Sequence, residues 1–212
     1  LYVLVCIAIG PAETGAATGH AQTRRYVVLF SGEKSGEQVT TLQPDGRLNV
    51  TLSYRENGRG PDLNEEMLPA ADGTLRSYRV TGKSTFGAPV SERFEMSQRT
   101  ARWSSPSERG AATPASPSIY LPIESSWEFN AQLARALLKQ HSGQLAGLPG
   151  GTLSIAKLTS TELVRGDQRV SVGLYAITGW SLDPVLVWLR ETPQREFFAA
   201  IYTGFAHIID QE

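Results

Sequence analysis

The chain has 212 residues, 41% of them hydrophobic, which is enough for one large domain with a buried core. Its 20 basic residues are matched by 21 acidic ones, so the formal net charge is −1. A balanced charge provides no field that attracts a polyanion, so composition excludes nucleic acid and an anionic membrane surface as partners.

An unbroken apolar run occupies residues 1–9. It is too short to cross a bilayer as a helix, which takes about 20 residues, and it has the length typical of the apolar part of a signal peptide. Gly19 and Ala21 are the small residues expected before a cleavage point. We therefore predict that residues 1–21 are a signal peptide truncated at its start, that the chain has no stable membrane span, and that the protein is exported, either periplasmic or secreted. A buried first strand is the alternative for the run.

Period-two alternation is the main pattern after Arg25. It is clearest at residues 48–54, where apolar side chains alternate with polar ones, as in a strand with one buried face. Similar patterns predict strands at residues 26–30, 90–96, 152–157, 161–164, 169–178, 185–189 and 197–202.

Dipeptides typical of tight hairpins separate these runs. Asp45-Gly46, Asn57-Gly58 and Asp72-Gly73 tolerate the positive φ of such turns, and Gly166-Asp167 repeats the signal later. The first three are 12 and 15 residues apart, which is too short for the crossover helix that a parallel pair requires. The pattern predicts a meander of sequential antiparallel strands.

Residues 104–118 are rich in Ser, Ala and Pro and contain no aromatic residue. Such a segment cannot bury enough apolar area to become ordered by packing. We predict an exposed loop between two halves of one sheet, and an interdomain linker is the alternative.

One helix is predicted after this loop. Ser125 and Glu128 have the spacing of a capping box, and Gly143 is a candidate C-cap. The apolar stripe of the helix consists of Phe129, Leu133, Ala136 and Leu137. The predicted fold of residues 22–212 is mostly β (α+β): a single domain with a curved antiparallel sheet or partial barrel packed around one helix. Such a sheet either closes over its helix or leaves a groove for a ligand.

No catalytic residue and no cofactor site is predicted in this segment. The three histidines, His20, His141 and His207, form neither a His-x-His nor a His-x-x-x-His motif. Residues 179–183 match the start of a nucleophile elbow, but Asp183 replaces its closing glycine. We interpret the match as a turn that ends a strand, and a self-contained hydrolase using Ser181 remains a hypothesis.

Two acidic pairs, Glu65 with Glu66 and Glu92 with Glu95, are the closest approach to an acid–base couple. On regular strands the members of each pair point to opposite faces, so they cannot act together. We interpret them as solvated strand edges. Glu92 falls on the apolar face of its strand, where an arginine from a neighbouring strand or the margin of the sheet would accommodate it.

Three tryptophans, Trp103, Trp180 and Trp188, each stand beside other apolar residues. We interpret them as core or interface residues, and contact with another domain or with a ligand is their functional alternative.

Several segments together carry a family resemblance: residues 60–66, 72–74, 80–94, 101–103, 120–122, 134–138 and 183–189. They resemble the region ahead of the catalytic barrel in bacterial secreted amidohydrolases, which are metal-dependent hydrolases of the imidazolonepropionase-like and prolidase-like sort. The resemblance implies a non-catalytic N-terminal accessory domain whose partner is a downstream catalytic domain of the same chain. The family's divalent metal is then expected only in that downstream domain, because its His-x-His motif has no counterpart here. The alternative is a stand-alone periplasmic protein that binds a lipid or another small apolar ligand.

Overall fold

The computed structural model describes residues 20–200 and the backbone of residues 207–210. Most of the predicted signal peptide and the last two residues of the strand predicted at 197–202 lie outside this part of the chain. The first strands are β1 Gln22–Phe30, β2 Glu33–Leu42, β3 Leu48–Tyr54, β4 Asp62–Pro69, β5 Leu75–Lys83, β6 Pro89–Ser97, β7 Thr100–Ser104 and β8 Arg109–Ala112. They are followed by β9 Ser118–Tyr120, α1 Trp127–Leu138, β10 Gln144–Leu148, β11 Thr152–Arg165, β12 Gln168–Thr178, β13 Val185–Arg190, β14 Phe197–Ala200 and β15 His207–Asp210.

The strands form two sheets that curl around the helix. The first has nine strands in the order β15-β1-β2-β3-β4-β5-β6-β7-β8, and the second has six in the order β14-β13-β12-β11-β10-β9. Neighbours pair antiparallel except β9 and β10, which are parallel because α1 crosses over between them. The fold is therefore a mostly antiparallel half-barrel with one helix, and the predicted fold class is confirmed.

The predicted meander is present in the first sheet, and its turns have the predicted chemistry. Gly46, Gly58 and Gly73 have φ of +85°, +76° and +86°. The side chains of Asp45 and Asp72 accept hydrogen bonds from the backbone two residues further on, at 3.0 and 2.9 Å. These turns are local, so they could be predicted from residue type alone.

The predicted loop at residues 104–118 connects the two sheets rather than two halves of one sheet, and it contains β8. Strand β8 pairs antiparallel with β7, and Gly110 lies directly beside the ring of Trp103. Composition could not predict this strand, because its main-chain hydrogen bonds are made against an existing edge and require no apolar side chains.

The helix is where it was predicted, but its caps differ from the prediction. Its N-cap is Ser126 rather than Ser125, and no side chain caps it; its C-cap is Lys139 rather than Gly143. The predicted capping box is absent because Ser125 lies one residue before the N-cap and Glu128 pairs with Arg135; the hydroxyl of the N-cap Ser126 donates to Glu65. Acceptors and donors from other parts of the fold replace the local cap.

Helix α1 fills the space enclosed by the two sheets. All its residues from Trp127 to Leu137 are buried except Arg135. The ring of Phe129 contacts Tyr78 of the first sheet at a centroid distance of 5.5 Å and Trp180, beside the second sheet, at 5.4 Å. Within the described residues the sheets thus close over the helix, and the interior groove that was the alternative is occupied.

Gly82 in β5 provides a test of close strand packing. Its φ is +139°, and a Cβ atom there would overlap the carbonyl oxygen of Asp62. We expect Gly82→Ala to lower the free energy of unfolding in urea by about 3 kcal/mol, through backbone strain and overlap together. Gly87→Ala is the control: Gly87 has φ of +82° but nothing within 4 Å of its Cβ position, so only about 1 kcal/mol should be lost. Equal losses of stability in the two variants would show that the backbone shifts enough to relieve the overlap between the new Cβ atom at residue 82 and the Asp62 carbonyl oxygen.

Candidate functional site

Two carboxyl side chains lie inside the half-barrel, where the chain enters α1. Glu65 of β4 and Glu92 of β6 are each 3% exposed, and both flank Val80 of β5 in the sheet register. The interpretation of these two as solvated strand edges is wrong. Glu66 and Glu95 do point to the opposite, solvent-facing side, as the alternation predicted.

Glu92 is held by three donors from the segment that precedes the helix. The hydroxyl of Tyr120 donates to Oε2 at 3.0 Å, the backbone N–H of Ile123 donates to the same oxygen at 3.0 Å, and that of Glu124 donates to Oε1 at 2.9 Å. The predicted alternatives, an arginine partner or the sheet margin, are both wrong. Three hydrogen bonds satisfy a buried carboxylate without a cation.

Glu65 is held by the next residues of the same segment. Its Oε1 lies 2.6 Å from the hydroxyl oxygen of Tyr78 and accepts the backbone N–H of Ser126 at 3.3 Å, while its Oε2 contacts the Ser126 hydroxyl. Burial raises the pKa of Glu65 from 4.5 to about 7, against the hydrogen bonds from Ser126 and Tyr78 that favour the charged form. We call Glu65, Glu92, Tyr78, Tyr120 and Ser126 the carboxyl clamp.

A second set of polar side chains connects the first two turns of α1 to the rest of the fold. Glu128 forms a buried ion pair with Arg135 at 2.8 Å and accepts a hydrogen bond from Thr40 of β2 at 3.4 Å. Gln38, also of β2, accepts the backbone N–H of Trp127 at 3.1 Å. Arg135 additionally donates to the carbonyl of Arg195 at 3.3 Å, so the same side chain connects the helix to the loop after β13.

These buried groups position the helix through hydrogen bonds made within the chain. Each clamp carboxyl is surrounded by donors from its own chain, and no three potential metal ligands cluster anywhere in the described residues. Ser181 is exposed and donates its hydroxyl proton to the carbonyl of Asp183, and β13 rather than a helix follows it. A nucleophile elbow requires a strand-to-helix turn, so the geometry favours the strand-ending turn.

The three tryptophans lie in different places and are only partly buried. Trp180 packs edge-on against Phe129, Trp103 donates its indole N–H to Glu108, and Trp188 pairs with Leu174 and Ala199 across β12, β13 and β14. The structure brings no two of them together as a binding platform. Their contact with another domain or a ligand stays a prediction.

Exposed apolar side chains occur at the end of the half-barrel where α1 begins. Phe86 in the β5–β6 turn is 81% exposed, Ile123 in the segment before α1 is 66% exposed, and Leu182 in the β12–β13 turn is fully exposed. We call these three residues the apolar rim. This end of the half-barrel is the one at which α1 begins, because the ring of Tyr54, at the end of β3, stacks on the ring of Trp127, the first residue of α1. The ring centroids are 5.5 Å apart.

No helix among the described residues has both the length and the apolar character needed to span a bilayer.

Comparison with known proteins finds a structural likeness but no family. No family model matches the sequence, and no curated protein is similar to it. A crystal structure of a β-barrel-like protein of the domain of unknown function DUF1849, from Brucella abortus, is similar over 90% of this chain and 94% of that chain, with 8% sequence identity and a TM-score of 0.49. A likeness of this size has no bearing on activity.

Proposed function

We propose that this chain is a non-catalytic accessory domain, exported to the periplasm or beyond, that packs against a downstream catalytic domain of an amidohydrolase-like metal-dependent hydrolase. The filled interior supports the proposal most directly. Because α1 occupies the space between the sheets, the domain has only its outer surface to offer to a partner.

The nature of the partner follows from the sequence resemblance to the region ahead of secreted amidohydrolase barrels. In that arrangement the downstream domain supplies the His-x-His motif and binds the divalent metal. The role of the present domain is to cover and orient that barrel. The apolar rim supports such a role, because exposed apolar side chains gathered at one end of a domain are suited to a protein interface.

A test begins with the reading frame that continues after Glu212. We expect it to encode a further domain of about 250 residues with a His-x-His motif near its start. In that longer protein, Leu182→Asp in the rim should loosen the two domains by about 2 kcal/mol, seen as faster proteolysis between them, because a charge would be buried at the interface. Leu158→Asp is the matched control, since Leu158 is equally apolar and 55% exposed but lies on β11. A stop codon after Glu212, or a continuation without His-x-His, would rule out the proposal.

The alternative, a stand-alone carrier of a lipid or small apolar ligand, requires an apolar cavity. A surface recess of about 640 Å³ does exist among the described residues, where Leu75 and Met96 meet the charged side chains of Arg76 and Arg99. Native mass spectrometry of the chain purified from the periplasm distinguishes the two functions. We expect the mass of the protein alone, and a co-purified lipid would favour the carrier.

A further inference from the structure

Three oxygen–oxygen contacts connect Glu65, Tyr78, Ser126 and the carbonyl of Glu124, and as hydrogen bonds they require three protons. Tyr78 Oη lies 2.6 Å from Glu65 Oε1 and 2.9 Å from the carbonyl oxygen of Glu124, and Ser126 Oγ contacts Glu65 Oε2. The carbonyl can only accept, so the tyrosine proton cannot serve both of its contacts. The hydroxyls of Tyr78 and Ser126 supply two protons, and the third must come from Glu65 itself.

We infer that Glu65 carries a proton in the folded protein and that this proton is a latch, which fastens the segment before α1 to the first sheet and loosens it when lost. With Glu65 protonated, its O–H donates to Tyr78, Tyr78 donates to Glu124, and Ser126 donates to the remaining oxygen of Glu65. With Glu65 ionised, Tyr78 turns its proton to the carboxylate, and the carbonyl of Glu124 loses its donor.

The surroundings of Glu65 favour the neutral form. The titratable groups on the packed elements are, in chain order, Tyr78 on β5, Glu92 on β6, Tyr120 on β9, Glu124 in the segment and Glu128 on α1. The facing residues of β2 and β3 are uncharged. The nearby cation, Arg135, is bound to Glu128. Among the described residues, no basic group forms an ion pair with Glu65, and the raised pKa of about 7 agrees with the proton count.

Glu92 provides an internal contrast. Its three contacts come from one hydroxyl and two backbone N–H groups, so every contact is complete without a proton on its carboxyl group. The two carboxyls hold the same segment by different means: Glu92 accepts all three of its hydrogen bonds, whereas Glu65 must also donate one.

The latch has a consequence for the apolar rim, because Ile123 projects from the segment that it holds. Control of docking through Ile123 rests on the proposed function. The protonation of Glu65 does not depend on that function. The measurements below use the purified chain alone, so their outcome is independent of what the apolar rim binds.

Carbon-13 NMR of the wild-type carboxyl groups tests the proton directly. We expect the Glu65 resonance to titrate near pH 7, and a Glu65 that is fully ionised at pH 5 to 6 would overturn the inference. Hydrogen exchange then reports on the segment before α1. After correction for the intrinsic rate, the amides of Ile123 and Glu124, beside the carbonyl that loses its donor, should lose protection about tenfold or more between pH 5 and pH 8.

Glu65→Gln keeps the size of the neutral side chain, with an amide to donate to Tyr78 and a carbonyl to accept from the Ser126 hydroxyl, but it loses the long contact with the Ser126 backbone N–H. Its urea midpoint should lie slightly below that of the wild type at pH 5 and, unlike that of the wild type, should change little between pH 5 and pH 8. The matched variant Glu92→Gln should lower the midpoint at both pH values, because an amide group would then face N–H donors. The same pH dependence in Glu65→Gln as in the wild type would refute the latch.

Discussion

Truncating Phe129 to alanine is expected to lower the free energy of unfolding by about 4 kcal/mol, because a large aromatic side chain is removed from the centre of the core. Phe129 has no exposed surface, and its ring is wedged between Tyr78 and Trp180, one from each side of the half-barrel. The cavity could shrink only if the two sheets moved towards each other, and the other buried residues of α1 keep them apart. Equilibrium unfolding in urea, followed by tryptophan fluorescence, measures the loss.

Leu138→Ala is the control for this experiment, since Leu138 is the last residue of the same helix and is 36% exposed. We expect a loss of about 1 kcal/mol or less there. Similar losses of stability for Phe129→Ala and Leu138→Ala would contradict a core in which α1 is packed between the two sheets.

The second large effect is expected at the buried ion pair of α1. Arg135→Met leaves the carboxylate of Glu128, whose side chain is 4% exposed, with only the long hydrogen bond from Thr40. Removing one partner of a buried pair costs about 3–5 kcal/mol, because the remaining charge stays in a poorly polarisable environment. Unfolding in urea at pH 7 measures this loss.

A matched exposed pair separates burial from charge. Arg93 and Glu95 form the same kind of contact at 3.2 Å, but their side chains are 70% and 55% exposed, so Arg93→Met should change stability by less than about 1 kcal/mol. The double variant Arg135→Met with Glu128→Leu should recover most of the loss, because it removes both charges. A small effect of Arg135→Met alone would show that water reaches Glu128.

The parts of the fold that local chemistry determines could be predicted from the sequence. Alternation at residues 48–54 corresponds to β3, the Asp-Gly and Asn-Gly dipeptides are hairpin turns, and the stripe on α1 is buried. No range was predicted for β2, β4, β5, β7 or β10. Strands β8 and β9 also escaped prediction, since each has at most four residues and depends on a neighbouring edge for its hydrogen bonds.

The carboxyl clamp was missed for a different reason. Its donors lie 28 to 61 residues away from their acceptors, apart from Tyr78, and several are backbone N–H groups that residue type does not reveal. A signal was nevertheless present. Glu65 stands between Leu63 and Met67 on the apolar face of β4, just as Glu92 precedes Phe94 on β6. A carboxyl on such a face must find donors, and the segment entering the helix was the nearest available source.

The central position of α1 also constrains the order in which the polypeptide can mature. Nine strands precede the helix in the described chain, eight of the first sheet and β9 of the second, and six strands follow it. As the polypeptide emerges from its N-terminus, those eight strands have no partner for their inner faces until residues 127–138 arrive. Until that point the nascent protein exposes a broad apolar surface, and this is the period in which a chaperone would be of most use.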